Sequence, residues 1–380
     1  MTEKLYYMNA YLAEFDARII SVDRDGERFV AVLDKTAFFP EEGGQSADSG
    51  YIGSARVLDV KEKCGVIYHY IDSDPGEGDV HCVLDFDKRF EKMQCHTAEH
   101  ILCGIIHKLH GYENVGFHLG DDVVTFDVDG ELDADEIARI ELLANRAVFE
   151  NRAVTTGFPS ADEARELEYR SKLDITENLR IVDIDGIDRC ACCAPHVSST
   201  GEIGMIKIVD FMRHRGGMRL FMQAGYRAFG DYSLRYSITR AIGAMTSTPS
   251  LEILDSVKKL AEERDKLAAE LSASAIRYAA CVAESVSPTS GNAVYHLDGV
   301  GIEALREFSN RALPKIGGIL VALSGEDGSY RYVISSSSTD LRSASREINS
   351  VLSGKGGGRS EMITGSFAST LDDIRSYFVK

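Results

Sequence analysis

Apolar and polar residues alternate through residues 5–34, as in Ala17-Arg18-Ile19-Ile20-Ser21-Val22 and Arg28-Phe29-Val30-Ala31-Val32-Leu33. A period of two makes a strand with one buried face, and Asp25-Gly26 between the runs is a hairpin turn. Further strands are expected at Ala55–Val60 and Val66–Ile71, so the first 85 or so residues read as a small barrel or curled sheet. From Asp87 the period becomes helical: Phe90, Met93, His100, Ile101, Ile105 and Leu109 recur on one helical face, mostly at steps of three, four or seven, until Gly111 ends the run. A strand follows at Asp122–Val128, then a charged amphipathic helix over Asp133–Asn151 capped by Asp133 or Asp135. Strands are also expected at Arg180–Ile184, Ile206–Phe211 and Met218–Gly225, the last two as neighbours, with a Cys-rich loop after the first. A helix joined to a sheet in this way is an α+β core.

The pattern changes again over residues 250–283. Ile253, Val257, Leu260, Arg264, Leu267, Leu271, Ser274 and Tyr278 alternate spacings of four and three, the heptad pattern of a long helix. Arg264 and Ser274 interrupt the seam, so packing within the chain competes with a coiled coil between two chains. After Ser287-Pro288 a last α/β segment carries strands near Ala293–His296 and Gly318–Leu323, the run Gly354-Lys355-Gly356-Gly357-Gly358-Arg359-Ser360 and a final helix. The expected organisation is therefore a barrel-like domain over 1–86, an α/β core over 87–240, a helical linker over 241–288 and a C-terminal α/β domain over 289–380.

At 380 residues and 44% hydrophobic composition the chain has ample material for several cores. No stretch of eighteen apolar residues occurs, and acidic residues break the N-terminal segment where a signal peptide needs an apolar run. The expectation is a cytoplasmic protein with no membrane partner. A net charge of -18 argues against indiscriminate nucleic-acid binding. The charge is uneven, however: from Gly301 onward ten Lys and Arg face nine Asp and Glu. Three of the eight cysteines crowd into Cys190-Ala191-Cys192-Cys193, which suggests ligand chemistry more than a disulfide framework.

Two motifs carry that chemistry. His96-Thr97-Ala98-Glu99-His100 places two imidazoles on one helix face, and Cys192-Cys193-Ala194-Pro195-His196 offers a thiolate and an imidazole at the same spacing beside a proline turn. Three imidazoles and one thiolate suit a single tetrahedral Zn2+ per chain. Cys190 and Cys193 compete with Cys192, and spacing favours Cys192. Gly43 and Gly44 allow tight turns in the polar stretch Thr36–Gly50, which is either a ligand-facing loop or only a connection. Arg213, His214, Arg215 and Arg219 form a local basic cluster, either a solvated turn or a receiver for an anionic partner. Lys355 and Arg359 flank a glycine turn whose N–H groups could approach phosphate, although a plain dimerisation domain explains the turn equally well.

The order Thr36...Phe39-Pro40-Glu41...Gly43-Gly44-Gln45...Asp48...Gly50, then His96-x-x-x-His100, then Cys192-x-x-x-His196 and Thr200-Gly201-Glu202-Ile203-Gly204, resembles the editing domain of alanyl-tRNA synthetase. It is most similar to the free-standing editing proteins of the AlaX family, long type. The Gly354–Gly358 run resembles the C-terminal domain of the same synthetase, and no ATP-dependent aminoacylation domain is visible. The resemblance implies trans-editing: hydrolysis of serine or glycine esters at the acceptor end of tRNA for alanine. It implies zinc on His96, His100, Cys192 and His196, and places Thr36 and Gln45 beside the aminoacyl group. A pocket sized for alanine rejects an added hydroxyl only by about 10²-fold, so a second hydrolytic sieve has a physical rationale. It also implies a tRNA partner; independently, the heptad pattern makes a homodimer through the linker helix or the C-terminal domain an expectation.

One departure stands out. Where the family has Cys-Gly-Gly-Thr-His, this chain has Cys192-Cys193-Ala194-Pro195-His196, closer at its Pro-His end to the editing domain of threonyl-tRNA synthetase. Three other readings therefore stand beside the first. One is editing of another misacylated tRNA, and a second is a non-catalytic zinc-stabilised tRNA-binding or regulatory protein. The third, a metalloprotease, is disfavoured because Thr97 occupies the general-base position of H-E-x-x-H and Glu99 is read as pointing elsewhere on the helix.

Overall fold

The computed structural model describes residues 1–120, 123–171 and 179–379. The chain is a mixed α+β protein in two compact units, Met1–Ile238 and Thr239–Lys380. In the first unit six strands, Glu14–Asp25, Arg28–Leu33, Val66–Ile71, Ala55–Lys63, Gly50–Ile52 and Asp79–Leu84, close a barrel in that spatial order. Closure leaves no exposed sheet edge. The hairpin between Glu14–Asp25 and Arg28–Leu33 pairs Asp25 with Arg28 around Gly26. Alternation does not extend back to residue 5. Leu5–Met8 form one helical turn in which Leu5 and Tyr6 are both buried, a pattern that a strand with one buried face cannot give.

The helix Phe86–His110 closes at Gly111 and packs Met93, Ile101, Leu102 and Ile106 into a core shared with the sheet and with the helix Ala134–Phe149. Burying each such side chain contributes about 1.5–3 kcal/mol. The sheet runs Ile206–His214, Gly217–Ala224, Val124–Val128, Asn114–Leu119, each strand antiparallel to its neighbour. Asp122, where the sequence pattern started one strand, lies outside the described residues. Asp133 caps Ala134–Phe149 in a reciprocal capping box with Glu136, an arrangement typically worth ~1 kcal/mol. A second sheet, Val154–Gly157, Ile181–Ile184 and Asp188–Ala191, ends beside the metal-ligand motif. Cys190 is therefore in a strand, and only from Cys192 does the chain become the expected loop.

The helix Gly225–Thr246 has no counterpart in the apolar pattern. Its large residues, Tyr226, Phe229, Tyr232, Leu234 and Tyr236, are exposed, so they leave no buried stripe to read. In the second unit the five-stranded sheet has the order Ala293–His296, Ile319–Ser324, Tyr330–Ser336, Met362–Phe367, Gly354–Gly358. The glycine run is thus an edge strand and not a turn. Gly356 lies opposite Gly365, and a Cβ there would collide with the Thr364 carbonyl and the Tyr332 hydroxyl. Gly354, Gly356 and Gly358 admit a close approach that a side chain would block.

Candidate metal centre

The long helix grips the Thr36–Gly50 stretch along one face. Arg89, buried, donates from Nε to Asp48 Oδ2 at 2.9 Å and from Nη2 to the Ala37 carbonyl at 2.6 Å. Lys92 Nζ donates to the Ala47 carbonyl at 2.6 Å. The same loop docks on the strand Asn114–Leu119, where Leu119 N donates to the Gly44 carbonyl at 2.7 Å. Gly44 has φ +84, and a Cβ on it would overlap the Phe117 carbonyl. These contacts deliver Gln45, fully buried, to His96.

The opposite wall comes from Cys192–His196. The Arg180 guanidinium, also buried, donates from Nη1 to the carbonyls of Cys192 at 2.9 Å and Ala194 at 2.8 Å. It therefore clamps the Cys193-Ala194-Pro195 bridge, in which Pro195 has no N–H to satisfy. Ala194 packs into the barrel core, while Cys192 touches both that core and the helix-sheet core. The motif sits where the two cores of the first unit meet.

This packing brings His96, His100, Cys192 and His196 together, with their ligand atoms all within 4.8 Å of one another. Cys192 Sγ is 3.6 Å from His96 Nε2 and 3.3 Å from His196 Nε2. A tetrahedral zinc with ordinary Zn–S and Zn–N lengths has an S···N edge of about 3.5 Å. The three rings are mutually 4.8–5.3 Å apart at their centroids.

The tautomers follow from the partners of the other ring nitrogens. His96 Nδ1 lies 2.8 Å from Gln45 Oε1, an acceptor. His100 Nδ1 lies 3.1 Å from Asp188 Oδ2, another acceptor. Thr97 Oγ1 gives its single proton to the Met93 carbonyl at 2.8 Å, so it accepts from His196 Nδ1 at 3.0 Å. Each Nδ1 therefore carries the proton and each Nε2 lone pair is free, converging with the Cys192 sulfur. Arg170 holds Asp188 with bonds of 2.7 and 2.8 Å. Burial would raise the Asp188 carboxyl, but hydrogen bonds from His100 and Arg170 outweigh it and bring it down to about 2.

The three clustered cysteines differ. Burial pushes the Cys190 thiol up to about 11 and the Cys193 thiol higher still. Burial acts on Cys192 too, yet the imidazoles of His96, His196 and His100 packed around its sulfur hold it well below the usual thiol range. Cys192 is the thiolate of the set. A smaller grouping of His100, Asp188 and Cys190 shares one histidine with it, but both Asp188 oxygens are already bonded to Arg170.

A cavity of about 500 Å³ opens on these ligands, lined among others by His96, His100, Cys192, Glu99, Arg180 and Gly43. Neither Thr36 nor Gln45 lines it. Thr36 is fully buried in the barrel, with Oγ1 2.9 Å from His69 Nε2 and accepting from Phe38 N at 3.1 Å. Gln45 reaches the centre through His96. The basic cluster lies on the hairpin joining Ile206–His214 to Gly217–Ala224, outside the cavity lining: Arg215 at φ 48 forms the tip, Arg213 pairs with Glu131, and Arg219 pairs with Asp127 at 2.7 and 2.8 Å. Lys355 and Arg359 are exposed at the edge strand of the second unit.

The sequence reading missed Gln45's role as a histidine partner, together with Thr97, Asp188 and Arg180. It also misplaced Glu99, which is buried and lines the cavity. The signal was present, since position i+3 from His96 shares its helix face as surely as i+4 does.

Comparison with known proteins finds the same family resemblance. Residues 179–220 match the family described as threonyl and alanyl tRNA synthetase second additional domain. The chain is 29% identical to the alanyl-tRNA editing protein AlaX-L of Pyrococcus horikoshii over 98% of its own length and 96% of that protein. The resemblance to the free-standing alanyl-tRNA editing proteins holds over nearly the whole chain. The alanyl-tRNA editing protein Aarsd1 of Danio rerio is 26% identical over 92% of this chain and 90% of its own. An alanine-tRNA ligase of Ignicoccus hospitalis is 32% identical over 71% of this chain, which spans only 31% of that larger protein.

Proposed function

We propose that this protein is an aminoacyl-tRNA deacylase of the alanyl-tRNA editing type, and that it hydrolyses serine and glycine esters from the acceptor end of tRNA for alanine. The observation that carries the reading is the convergence of three Nε2 atoms and one thiolate, with His96, His100 and Cys192 on the wall of a cavity large enough for a small-molecule group. The whole-length likeness to alanyl-tRNA editing proteins favours this substrate over a threonyl-type one. The donor set fits one Zn2+, held by His96, His100, Cys192 and His196. With all four protein ligands in place a zinc there would have no open position for a nucleophilic water or for the carbonyl oxygen, and its role would be to order the wall against which the aminoacyl group is oriented. Gln45, Thr97 and Asp188 keep the imidazoles in register, while the Arg180 clamp sets the thiolate's approach. Thr36 acts from the barrel through the loop it anchors.

Around this centre, residues 1–86 and 87–240 form the editing portion, 241–288 a helical linker and 289–380 a C-terminal domain. Arg213, Arg215 and Arg219 receive the acceptor stem, Lys355 and Arg359 contact the tRNA body, and two chains associate through the linker helix or the C-terminal domain. Among the described residues no helix is long and apolar enough to cross a membrane, and we assign the protein to the cytoplasm.

The test is a panel of tRNA for alanine charged with serine, glycine or alanine, and tRNA for threonine charged with serine, each incubated with metal-loaded protein. Serine and glycine should leave the alanine tRNA faster than in buffer while alanine stays. Loss from the threonine tRNA alone would move the assignment to the threonyl type. No loss from any substrate, with metal bound, would leave the non-catalytic tRNA-binding reading.

A further inference from the structure

We propose that Glu99 binds the α-ammonium group of the esterified amino acid, so that the cavity takes only esters with a free amine. The proposal rests on the deacylase reading above. Glu99 is 4% exposed and lines the same cavity as the metal ligands. Its Oε1 is satisfied by Asn114 Nδ2 and by the Cys103 thiol at 3.3 Å. Its Oε2 has no hydrogen bond among the described residues, and the nearest cation-capable atom is His100 Nε2 at 4.0 Å. In the metal-loaded protein that nitrogen would be turned to the ion with the other ligands, while Nδ1 is held by Asp188, so it would have no proton to give Glu99.

The cavity's cationic side chains do not compensate the carboxylate either. Lys4 is bound to Glu62, Arg170 to Asp188, and Arg180 to two backbone carbonyls. A carboxylate oxygen with no protein partner, on an otherwise buried side chain at a cavity wall, is a site waiting for a donor from outside. An aminoacyl ester brings one, an ammonium on the carbon next to the carbonyl under attack. A carboxylate-ammonium bond is charge-assisted and stronger than a neutral contact. An N-acylated ester brings an amide in its place, without charge and with added bulk. Peptidyl and formylated esters are therefore expected to be spared by the same contact that holds the correct class of substrate.

The experiment uses zinc-loaded full-length protein, wild type and Glu99→Gln, with Glu99→Asp as a charge-retaining control. Calorimetry measures binding of a non-hydrolysable 3′-seryl-amido-adenosine and of its N-acetyl derivative, and deacylation of seryl-tRNA and N-acetyl-seryl-tRNA is followed in parallel. Wild type should prefer the free amine by about 10- to 100-fold, the range of one hydrogen bond to a charged group. Glu99→Gln should lose that preference by weakening only the free-amine ligand, at unchanged zinc content, and Glu99→Asp should regain part of it. A preference that survives in Glu99→Gln overturns the proposal, as does loss of zinc, which would make Glu99 a metal ligand. Wild type that deacylates seryl-tRNA without preferring the free amine overturns this proposal alone. Wild type that binds neither analogue and deacylates nothing overturns the deacylase reading with it.

Discussion

Two long helices divide polar and apolar residues in opposite ways. Phe86–His110 buries Arg89, Lys92, Gln94, His96, Thr97, Glu99 and His100. Ile253–Glu284 leaves Leu254, Val257, Leu260, Leu267 and Leu271 exposed and buries only Ala279 and Ala283. Burying a polar side chain is costly unless it is hydrogen-bonded, so those on the first helix point to specific partners, with one Glu99 oxygen left to the cavity. An exposed apolar seam names no partner, although its period gives the shape of one. The first helix is read through its hydrogen bonds, the second through what is left uncovered.

The largest expected effect lies at the thiolate. In Cys192→Ala the three imidazoles keep their Nδ1 partners, so the protein should fold, but metal affinity should fall by at least about 100-fold. Elemental analysis after dialysis should find less than one equivalent per chain, with deacylation lost in parallel. Full occupancy in that variant would transfer the metal to Cys190 with His100 and Asp188, and the division between thiolate and thiol drawn above would be wrong.

A second effect tests whether buried polar groups in the barrel obey the same rule. His69 is fully buried between the Ala31 carbonyl, 3.1 Å from Nδ1, and the Thr36 hydroxyl. Burial lowers it from 6.5 to about 4. The native state thus favours the neutral ring, and the unfolded chain takes up the proton first as pH falls. The stabilisation is complete above pH 6.5 and is lost as pH falls toward 4, by about 3 kcal/mol. Denaturant titrations at pH 7 and pH 4.5 should show a smaller drop in His69→Gln than in wild type. Equal drops would mean that His69 is not the titrating group.

Much of this could be read along the chain, for identifiable reasons. The barrel strands, the His96–His100 face and the Cys192–His196 spacing depend on local periods of two and four, which a sequence displays directly. Asp188 and Gln45 could not be seen that way. Each meets its histidine across 88 and 51 residues, and nothing near them announces the pairing. Gly354–Gly358 misled for a different reason: glycine usually signals a turn, but here two glycine-bearing strands pack backbone to backbone under Tyr332. The helix Gly225–Thr246 was missed because its aromatic residues are exposed, so no buried stripe marks it.

The smallest effect on folding is expected on the second helix, and it decides whether the comparison is real. Leu267 and Leu271 are 64% and 72% exposed within one chain. Replacing both with Glu should shift the monomer's stability by no more than about 0.5 kcal/mol per site, since nothing packed is lost. If the heptad seam is covered by a second copy, the same change places charges at the centre of a coiled coil and should dissociate it. Sedimentation velocity would then show wild type at twice the mass of the variant, with both equally folded by circular dichroism. An unchanged mass with unchanged stability would remove the seam from self-association. A large loss of monomer stability would show that these leucines are packed within the chain, and that the second helix, like the first, is held by partners its own sequence does not display.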